Sequence, residues 1–370
     1  MTTQGTTQIN TISIRSVGKS ELSVSVLGFG GGTIGSPQID NPTSIETVHS
    51  AWDSGVRFFD TAPWYGLGRS ERRLGLSLSG KDDRDTYHIN TKVGKTLVPE
   101  PHRVEANHTL SPGGEVRTPR DSITGFRVKF DYSYEQIHRQ HLDSLQRLGH
   151  SKVDSLTIHD IDYGYHTQSQ IENHLNQLSG KQGGGARALE ELRQEGKIKA
   201  IGCGCNLESR NEKSWNTDQH ESLIEKIVDL VDLDFLVIAG GYTLLETRAL
   251  RRILPLCTRY NIGVIIAAPF ASGWLVDPGQ ATYMYSEPST EIAERSKKIQ
   301  AICQHHDTPM AAVALQFPLA HPAVAAVIPG AKSPAEPKQN KTFLDFPVPG
   351  DIWTELREQN LIDAEAPVPS

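Results

Sequence analysis

Short apolar runs recur along the chain at 22–29, 56–60, 86–92, 153–158, 198–203, 234–239, 262–268 and 323–328. Helical periodicity fills the stretches between them. In 133–148, Ile137, His141, Leu145 and Leu148 share one face and Gly149 provides a C-terminal stop. Ala186, Leu189 and Leu192 do the same in 186–195, ahead of Gly196, and Asn41-Pro42-Thr43 marks a helix start before Ile45-Glu46. Eight strands, each followed by a helix, make an α/β (β/α)8 barrel, the TIM barrel, the economical architecture. Residues 9–16 predict an extra strand that forms an N-terminal β-hairpin with 22–27 around Gly18-Lys19 and closes the barrel bottom. No Pro/Ser linker, low-complexity tract or repeat divides the chain, so 1–370 is expected to be a single domain.

Two connections exceed ordinary loop lengths. Residues 93–132 are rich in Pro, Gly, His and Arg without clear periodicity, and 160–185 carry Tyr163, Tyr165, His166 and Gly183-Gly184-Gly185. Both follow strand ends, so both are expected to rise as long loops from the C-terminal face and shape a substrate pocket.

The strand ends also collect chemistry. Asp60 closes the run Val56-Arg57-Phe58-Phe59, Tyr65 follows shortly after, Lys92 ends the third run, and His159 lies just beyond the fourth. In a parallel barrel these four converge at one mouth. A free tyrosine, with a pKa of ~10, is a poor base near neutrality. A buried ammonium beside it stabilises the phenolate, and a carboxylate keeps the lysine charged. Tyr65 would then take or give the proton that accompanies hydride transfer, while His159 orients the reacting oxygen. Each residue also has a plainer reading: Asp60 as a cap, Tyr65 as a packed aromatic, Lys92 as a surface or imine-forming lysine, His159 as a core histidine or a metal ligand with Asp160.

Composition narrows the partners. With 37% hydrophobic and 22% charged residues and a net charge of −7, the chain suits a large core and is ill suited to nucleic acid or anionic membranes. No apolar stretch approaches the ~18–20 residues needed to span a bilayer. Residues 1–14 lack the apolar core of a secretory signal. Cys203, Cys205, Cys257 and Cys303 read as free thiols, and a cytoplasmic location is expected. His305-His306 are expected to face solvent at a helix end, and no spacing suggests a metal site.

Gly30-Gly31-Gly32-Thr33-Ile34-Gly35 matches the dinucleotide-binding pattern G-x-G-x-x-G. Its context fails. Pro37 and Pro42 intervene before any helix, and Asp60 lies about 30 residues on, beyond the usual ~20. A glycine-rich first loop that lets a ligand approach the backbone stays open.

Several segments are similar to the aldo-keto reductase family: Gly55 to Gly66 with Ser70-Glu71 and Leu74-Gly75, Thr91-Lys92-Val93-Gly94, Ile158-His159-Asp160, Ile198 to Gly202 with Asn206, and Val327 to Lys332. Phe130-Asp131-Tyr132-Ser133, Gly241 to Glu246 and Ala314 to Pro322 resemble the branch containing D-threo-aldose (L-fucose) 1-dehydrogenases and pyridoxal 4-dehydrogenase. The resemblance implies Asp60, Tyr65, Lys92 and His159 as the catalytic group and NAD(P) as cofactor. It implies cofactor contacts at Gly32 and Thr33 of the first loop, Asn206 for the nicotinamide amide, and Pro269, Phe270, Ser272, Gly273 and Leu275 over the pyrophosphate. Gly330, Lys332, Gln339 and Asn340 would hold the adenosine half. Three positions depart from the common pattern: Ala239, Ala267-Ala268 and Glu336 replace a glutamine, a stacked aromatic and a phosphate-gripping arginine. A carboxylate at 336 would repel a 2′-phosphate, so NAD is slightly favoured.

The expected reaction is NAD(P)-dependent hydride transfer on a small hydroxy or carbonyl compound, foremost oxidation of an aldose at C1 to a lactone. His102, Arg103, Asn107, His108, Arg117 and Arg120 would suit a polyol, and Trp64 and Trp274 are candidate stacking surfaces. Oxidation or reduction of another carbonyl compound such as an aromatic aldehyde or pyridoxal, a Schiff-base aldolase using Lys92, and a non-catalytic cofactor-binding subunit are the alternatives. The oligomeric state is open.

Overall fold

A short antiparallel hairpin, β1 (Ile14–Ser16) with β2 (Ser23–Ser25), comes first among the described elements. The computed structural model describes residues 11–81, 83–99, 109–110, 116–117, 124–180, 183–207, 217–279, 283 and 287–370. Gly18 turns this hairpin at φ +54°, and a Cβ there would sit 2.4 Å from the backbones of Asp234 and Gly263. The hairpin is thus pressed against the entry ends of two barrel strands, and Val17, Leu22 and Val24 plug the bottom against Phe58, Phe235, Ile265 and Ile328.

The barrel consists of β3 (Phe29–Gly30), β4 (Phe58–Asp60), β5 (His88–Val93), β10 (Ser155–Ile158), β11 (Ala200–Asn206), β12 (Phe235–Ala239), β13 (Gly263–Ala267) and β14 (Val324–Ile328), parallel and in chain order. Parallel bridges from Leu27 to Val327 and from Gly30 to Gly330 join its two edges. The fold is the expected (β/α)8 barrel. The predicted first strand, 22–29, is divided: its front half pairs with β1 beneath the barrel, and only the part from Leu27 onward joins the wall.

Outside the wall pack α1 (Asn41–Asp53), α2 (Arg69–Leu78), α3 (Tyr134–Leu148), α5 (Gly185–Gln194), α6 (Thr217–Leu230), α7 (Ile253–Tyr260), α8 (Thr290–His305) and α9 (Met310–Gln316), with α10 (Ala335–Asp345) and α11 (Gly350–Glu358) after the last strand. The helix ends follow their sequence signals. Asp40 caps α1 by accepting from the Thr43 N–H at 2.8 Å, and Gly149 ends α3 in the left-handed conformation. Among the described residues no helix is long and apolar enough to cross a membrane.

Both long connections contain structure that their composition conceals. Within 93–132, β6 (Lys95–Pro99) pairs antiparallel with β9 (Phe126–Phe130), and β7 (Thr109–Leu110) pairs with β8 (Val116–Arg117). Phe126-Arg-Val-Lys-Phe130 alternates apolar and charged residues, which is a strand period that the expected aperiodic loop overlooked. Within 160–185 stands α4 (Gln168–Ser179), begun by a capping box between Thr167 and Gln170 and buried through Ile171, His174 and Leu178. His102, Arg103, Asn107, His108 and Arg120 lie outside the described residues, and for Arg117 only the strand position is described.

Candidate active site

Adjacent strands set the lower layer of the site in register. Asp60 of β4 stands opposite Asn90 of β5, Asn90 opposite Ser155 of β10, and Lys92 opposite Thr157. Side chains alternate across a barrel wall, so Phe58 enters the bottom plug and Asp60, two residues on, enters the polar layer above it. Lys92 Nζ donates to both Asp60 oxygens at 2.7 Å and to the Thr61 carbonyl at 2.9 Å. An ammonium has three N–H groups, and all three are used here. Lys92 and Asp60 are 2% and 3% exposed, which makes the ion pair an interior one.

Tyr65 lies on the turn after β4, with its ring face over the Lys92 ammonium, 4.7 Å from ammonium to ring centroid. His159, one residue past β10, presents its ring edge-on to Tyr65 with 5.9 Å between centroids. The four expected residues therefore form a connected chain at the C-terminal mouth. Behind Asp60, Gly31 donates its N–H to the Asp60 carbonyl at 2.7 Å. A Cβ on Gly31 would fall 2.6 Å from that oxygen, so only glycine lets the first loop lie this close.

A second buried ion pair stands beside the first, and sequence reasoning missed it. Lys95, at the start of β6, donates to Asp160 Oδ2 and is 1% exposed. Its ammonium lies 4.6 Å from the Trp64 ring centroid, 4.7 Å from Tyr165 and 5.3 Å from Phe130. Asp160 Oδ2 is also 3.3 Å from His159 Nε2, and Asn206 donates to Asp160 Oδ1 at 2.9 Å and to Asp162 at 2.7 Å. Asp160 adopts φ +56°, a left-handed conformation that is strained for a residue with a Cβ. Its three-sided polar contact holds it there, next to His159.

Two neighbours steady this corner. Tyr132 donates its hydroxyl to the His159 carbonyl at 2.6 Å; burial and then the charges of Asp160 and Asp162 push its phenol well above the ordinary range, so it remains a donor. His166 contacts the Asp160 carbonyl through Nε2 at 3.0 Å. Burial, followed by His174 and Lys95, lowers the His166 pKa to about 3.

The residues expected around a cofactor are placed unevenly. Asn206, Ala239 and Ala267 stand opposite one another at the tops of β11, β12 and β13, a row of one amide and two small side chains. A Cβ on Gly32 would meet the Tyr65 ring at 3.9 Å, and one on Gly330 would meet Thr33 Oγ1 at 2.5 Å. Gly32 thus borders the candidate site, and Thr33 closes against the last strand. The turn after β13 passes through positive φ at Ala268, Ala271, Ser272 and Gly273, with Pro269 buried and Phe270 edge-on to Phe343 of α10. Leu275 is fully buried and packs in the core, so its side chain is not presented to a ligand. Trp274 donates its indole N–H to Ser296 of α8 at 3.0 Å, while Trp64 lies against Lys95 in the site.

At the start of α10, the Lys332 N–H donates to the Glu336 carboxylate at 2.8 Å. Lys332 and Gln339 are exposed and Asn340 is buried. The four cysteines are free and buried, and burial pushes the Cys257 and Cys303 thiols up to about 12. His305 and His306 gather with Glu355 of α11, His306 Nε2 lying 2.9 Å from the carboxylate; His305 is exposed as expected, whereas His306 is half-buried.

Comparison with known proteins identifies the family. The sequence matches the Aldo/keto reductase family over residues 26–360. It is 36% identical over 356 residues to a pyridoxal 4-dehydrogenase from Microbacterium luteolum, covering 94% of this chain and 97% of that protein. It is 33% identical over 346 residues to a D-threo-aldose 1-dehydrogenase from Pseudomonas sp, covering 92% and 95%. Among solved structures, the holo form of aldo-keto reductase AKR11C1 from Bacillus halodurans aligns with a TM-score of 0.67 at 23% identity, covering 97% of this chain and 98% of that one. The chain belongs to the aldo/keto reductase family and is an NAD(P)-dependent oxidoreductase of small hydroxy or carbonyl compounds.

Proposed function

We propose that the chain oxidises an aldose at C1 to its lactone, preferring NAD, with Asp60, Tyr65, Lys92 and His159 as the reacting group. The three-acceptor grip on Lys92 beneath the Tyr65 ring is the observation that carries this reading. A bound nicotinamide cofactor supplies the hydride acceptor. Lys92 places a positive charge under the phenol ring and favours its ionised form, while Asp60 keeps that charge in place. Tyr65 takes the C1 hydroxyl proton as the hydride leaves, and His159 hydrogen-bonds the same oxygen and sets its direction. Asn206 and the small pair Ala239 and Ala267 fit a flat carboxamide-bearing ring at the strand tops. A Lys92 with every N–H bonded is a clamped cation and not a free amine, which argues against imine chemistry.

The relative named D-threo-aldose 1-dehydrogenase supports an aldose substrate. A second reading, a planar aromatic aldehyde or pyridoxal, is supported by the relative named pyridoxal 4-dehydrogenase and by the rings of Trp64, Phe130 and Tyr165 gathered at the site. For the cofactor, Glu336 puts a carboxylate at the start of α10 on the Lys332 N–H, where the family resemblance expects the adenosine half. It would repel a 2′-phosphate there. Initial rates with a panel of aldoses, pyridoxal and aromatic aldehydes, using both cofactors in both directions, test the proposal. Lactone formation with kcat/KM higher for NAD is expected; turnover confined to aldehydes, or a strong NADP preference, overturns the corresponding half.

A further inference from the structure

Beneath the Asp60–Lys92 pair lies an amide with no part in the scheme above. Asn90, Ser155 and Thr157 are each 0% exposed. The Asn90 Oδ1 accepts from Ser155 Oγ at 2.8 Å and from Thr157 Oγ1 at 3.0 Å, while its Nδ2 donates to Asp60 Oδ1 at 2.7 Å. The orientation is forced from the Asp60 side. A carboxylate only accepts, so a reversed amide would set oxygen against oxygen in the interior. The two hydroxyls then supply the donors that the amide oxygen needs. Strand register makes the row possible, since Asp60, Asn90 and Ser155 stand directly opposite one another across three strands.

We propose that Asn90, locked by Ser155 and Thr157, is a positioning residue that tunes the proton affinity of Tyr65 through the Asp60–Lys92 pair. The inference rests on Tyr65 being the proton-transferring group. Asp60 Oδ1 is shared between Lys92 and the Asn90 N–H, so the amide takes up part of the carboxylate charge. Less of the Lys92 charge is then cancelled at the Tyr65 ring, and the phenolate is favoured. Without the amide, Asp60 draws on Lys92 alone and the field at Tyr65 becomes more negative. Among the described residues, the charged and titratable groups around Tyr65 include Lys92 and Asp60 beneath it, His159 across from it with the Lys95–Asp160 pair beyond, and Arg69, whose guanidinium bonds the Gly35 carbonyl beside the Tyr65 backbone.

The test is Asn90→Leu, which keeps the branched shape and removes both polar ends, alongside Ser155→Ala/Thr157→Val, which leaves the amide on Asp60 but removes the two donors to its oxygen. Tyr65 ionisation is read directly from the ultraviolet phenolate difference spectrum, with Tyr65→Phe subtracted, and the rising limb of the oxidation pH profile is measured in parallel. Asn90→Leu is expected to move both midpoints up by about one pH unit, a tenfold loss of phenolate below the midpoint. The hydroxyl variant should move them the same way by less, and it provides the readout if Asn90→Leu does not fold. An unchanged Tyr65 midpoint, with turnover lowered equally at every pH, overturns the proposal and leaves Asn90 a packing residue. A wild-type Tyr65 that titrates at the ordinary phenol value would instead overturn the underlying assignment of Tyr65 and Lys92.

Discussion

Two buried lysine–carboxylate–asparagine groups stand side by side at the barrel mouth, and they are built differently. Lys92, Asp60 and Asn90 all come from strands, in register and in ordinary extended backbone. Lys95, Asp160 and Asn206 are gathered from the start of a ribbon, a strained loop residue and a strand end. Lys92 is clamped on three oxygens and faces one ring, that of Tyr65. Lys95 donates to the Asp160 carboxylate and lies among the rings of Trp64, Phe130 and Tyr165. The first arrangement suits a charge that must stay fixed relative to one phenol. In the second, the carboxylate reaches both the lysine and His159, so its charge bears on the histidine. Regular register delivers the pair proposed for proton transfer, and the loops deliver the residue proposed to orient the substrate oxygen.

Breaking the first group should have the largest effect. Tyr65→Phe is expected to lower turnover roughly 10²–10⁴-fold, the range of positioned acid–base catalysis, while cofactor binding measured by fluorescence titration stays near wild type. Full retained activity would remove Tyr65 from the reaction. Lys92→Met should abolish turnover or shift the alkaline limb of the pH–rate profile. If neither occurs, the coupling between Lys92 and Tyr65 is wrong.

The second group is expected to answer mainly in stability. Lys95→Met removes the ammonium from the buried Lys95–Asp160 pair, a change that typically costs about 3–5 kcal/mol. Denaturant unfolding would show it, and adding Asp160→Asn should restore much of the loss by removing the charge. Wild-type stability of Lys95→Met alone would mean that the pair is wetter than its 1% and 5% exposures imply.

The same contrast explains which parts could be read from the chain. Asp60 and Lys92 end apolar runs, and a parallel barrel has one chemically active rim, so period and topology suffice to bring them together. The structure adds Asn90, which sequence position alone leaves as one polar residue inside a strand. Lys95 was hidden for another reason. It opens a segment whose Pro, Gly and Arg content reads as loop, and its carboxylate partner arrives only through the turn after β10. The ribbon strand Phe126–Phe130 and the Thr167–Gln170 cap did carry local signals, but these were outweighed by their irregular surroundings. Leu275, which the family resemblance places over the cofactor, has its side chain packed in the core, a burial that its loop position did not signal.

The smallest effect concerns His166, which reports on the second group from outside. Burial is the main cause of its lowered pKa of about 3, with His174 and Lys95 adding to it and Asp160 opposing. Buried His141 and His220 are likewise held at about 4. Unfolded, all three take protons near the ordinary 6.5, so between 6.5 and about 4 the unfolded chain binds more protons than the folded one. Stability from these sites is complete above 6.5 and is lost as pH falls through that window. Lys95→Met removes one positive neighbour of His166 and takes the ammonium off Asp160, and both changes favour the imidazolium. The His166 midpoint, followed by NMR of labelled histidine, should therefore rise while staying below 6.5, because desolvation persists. His141 lies against Lys197 and His138, so its midpoint should not move. A His166 midpoint that is unchanged in Lys95→Met would show that the Lys95 charge does not reach beyond its ring enclosure, and the second group would then act on His159 through position alone.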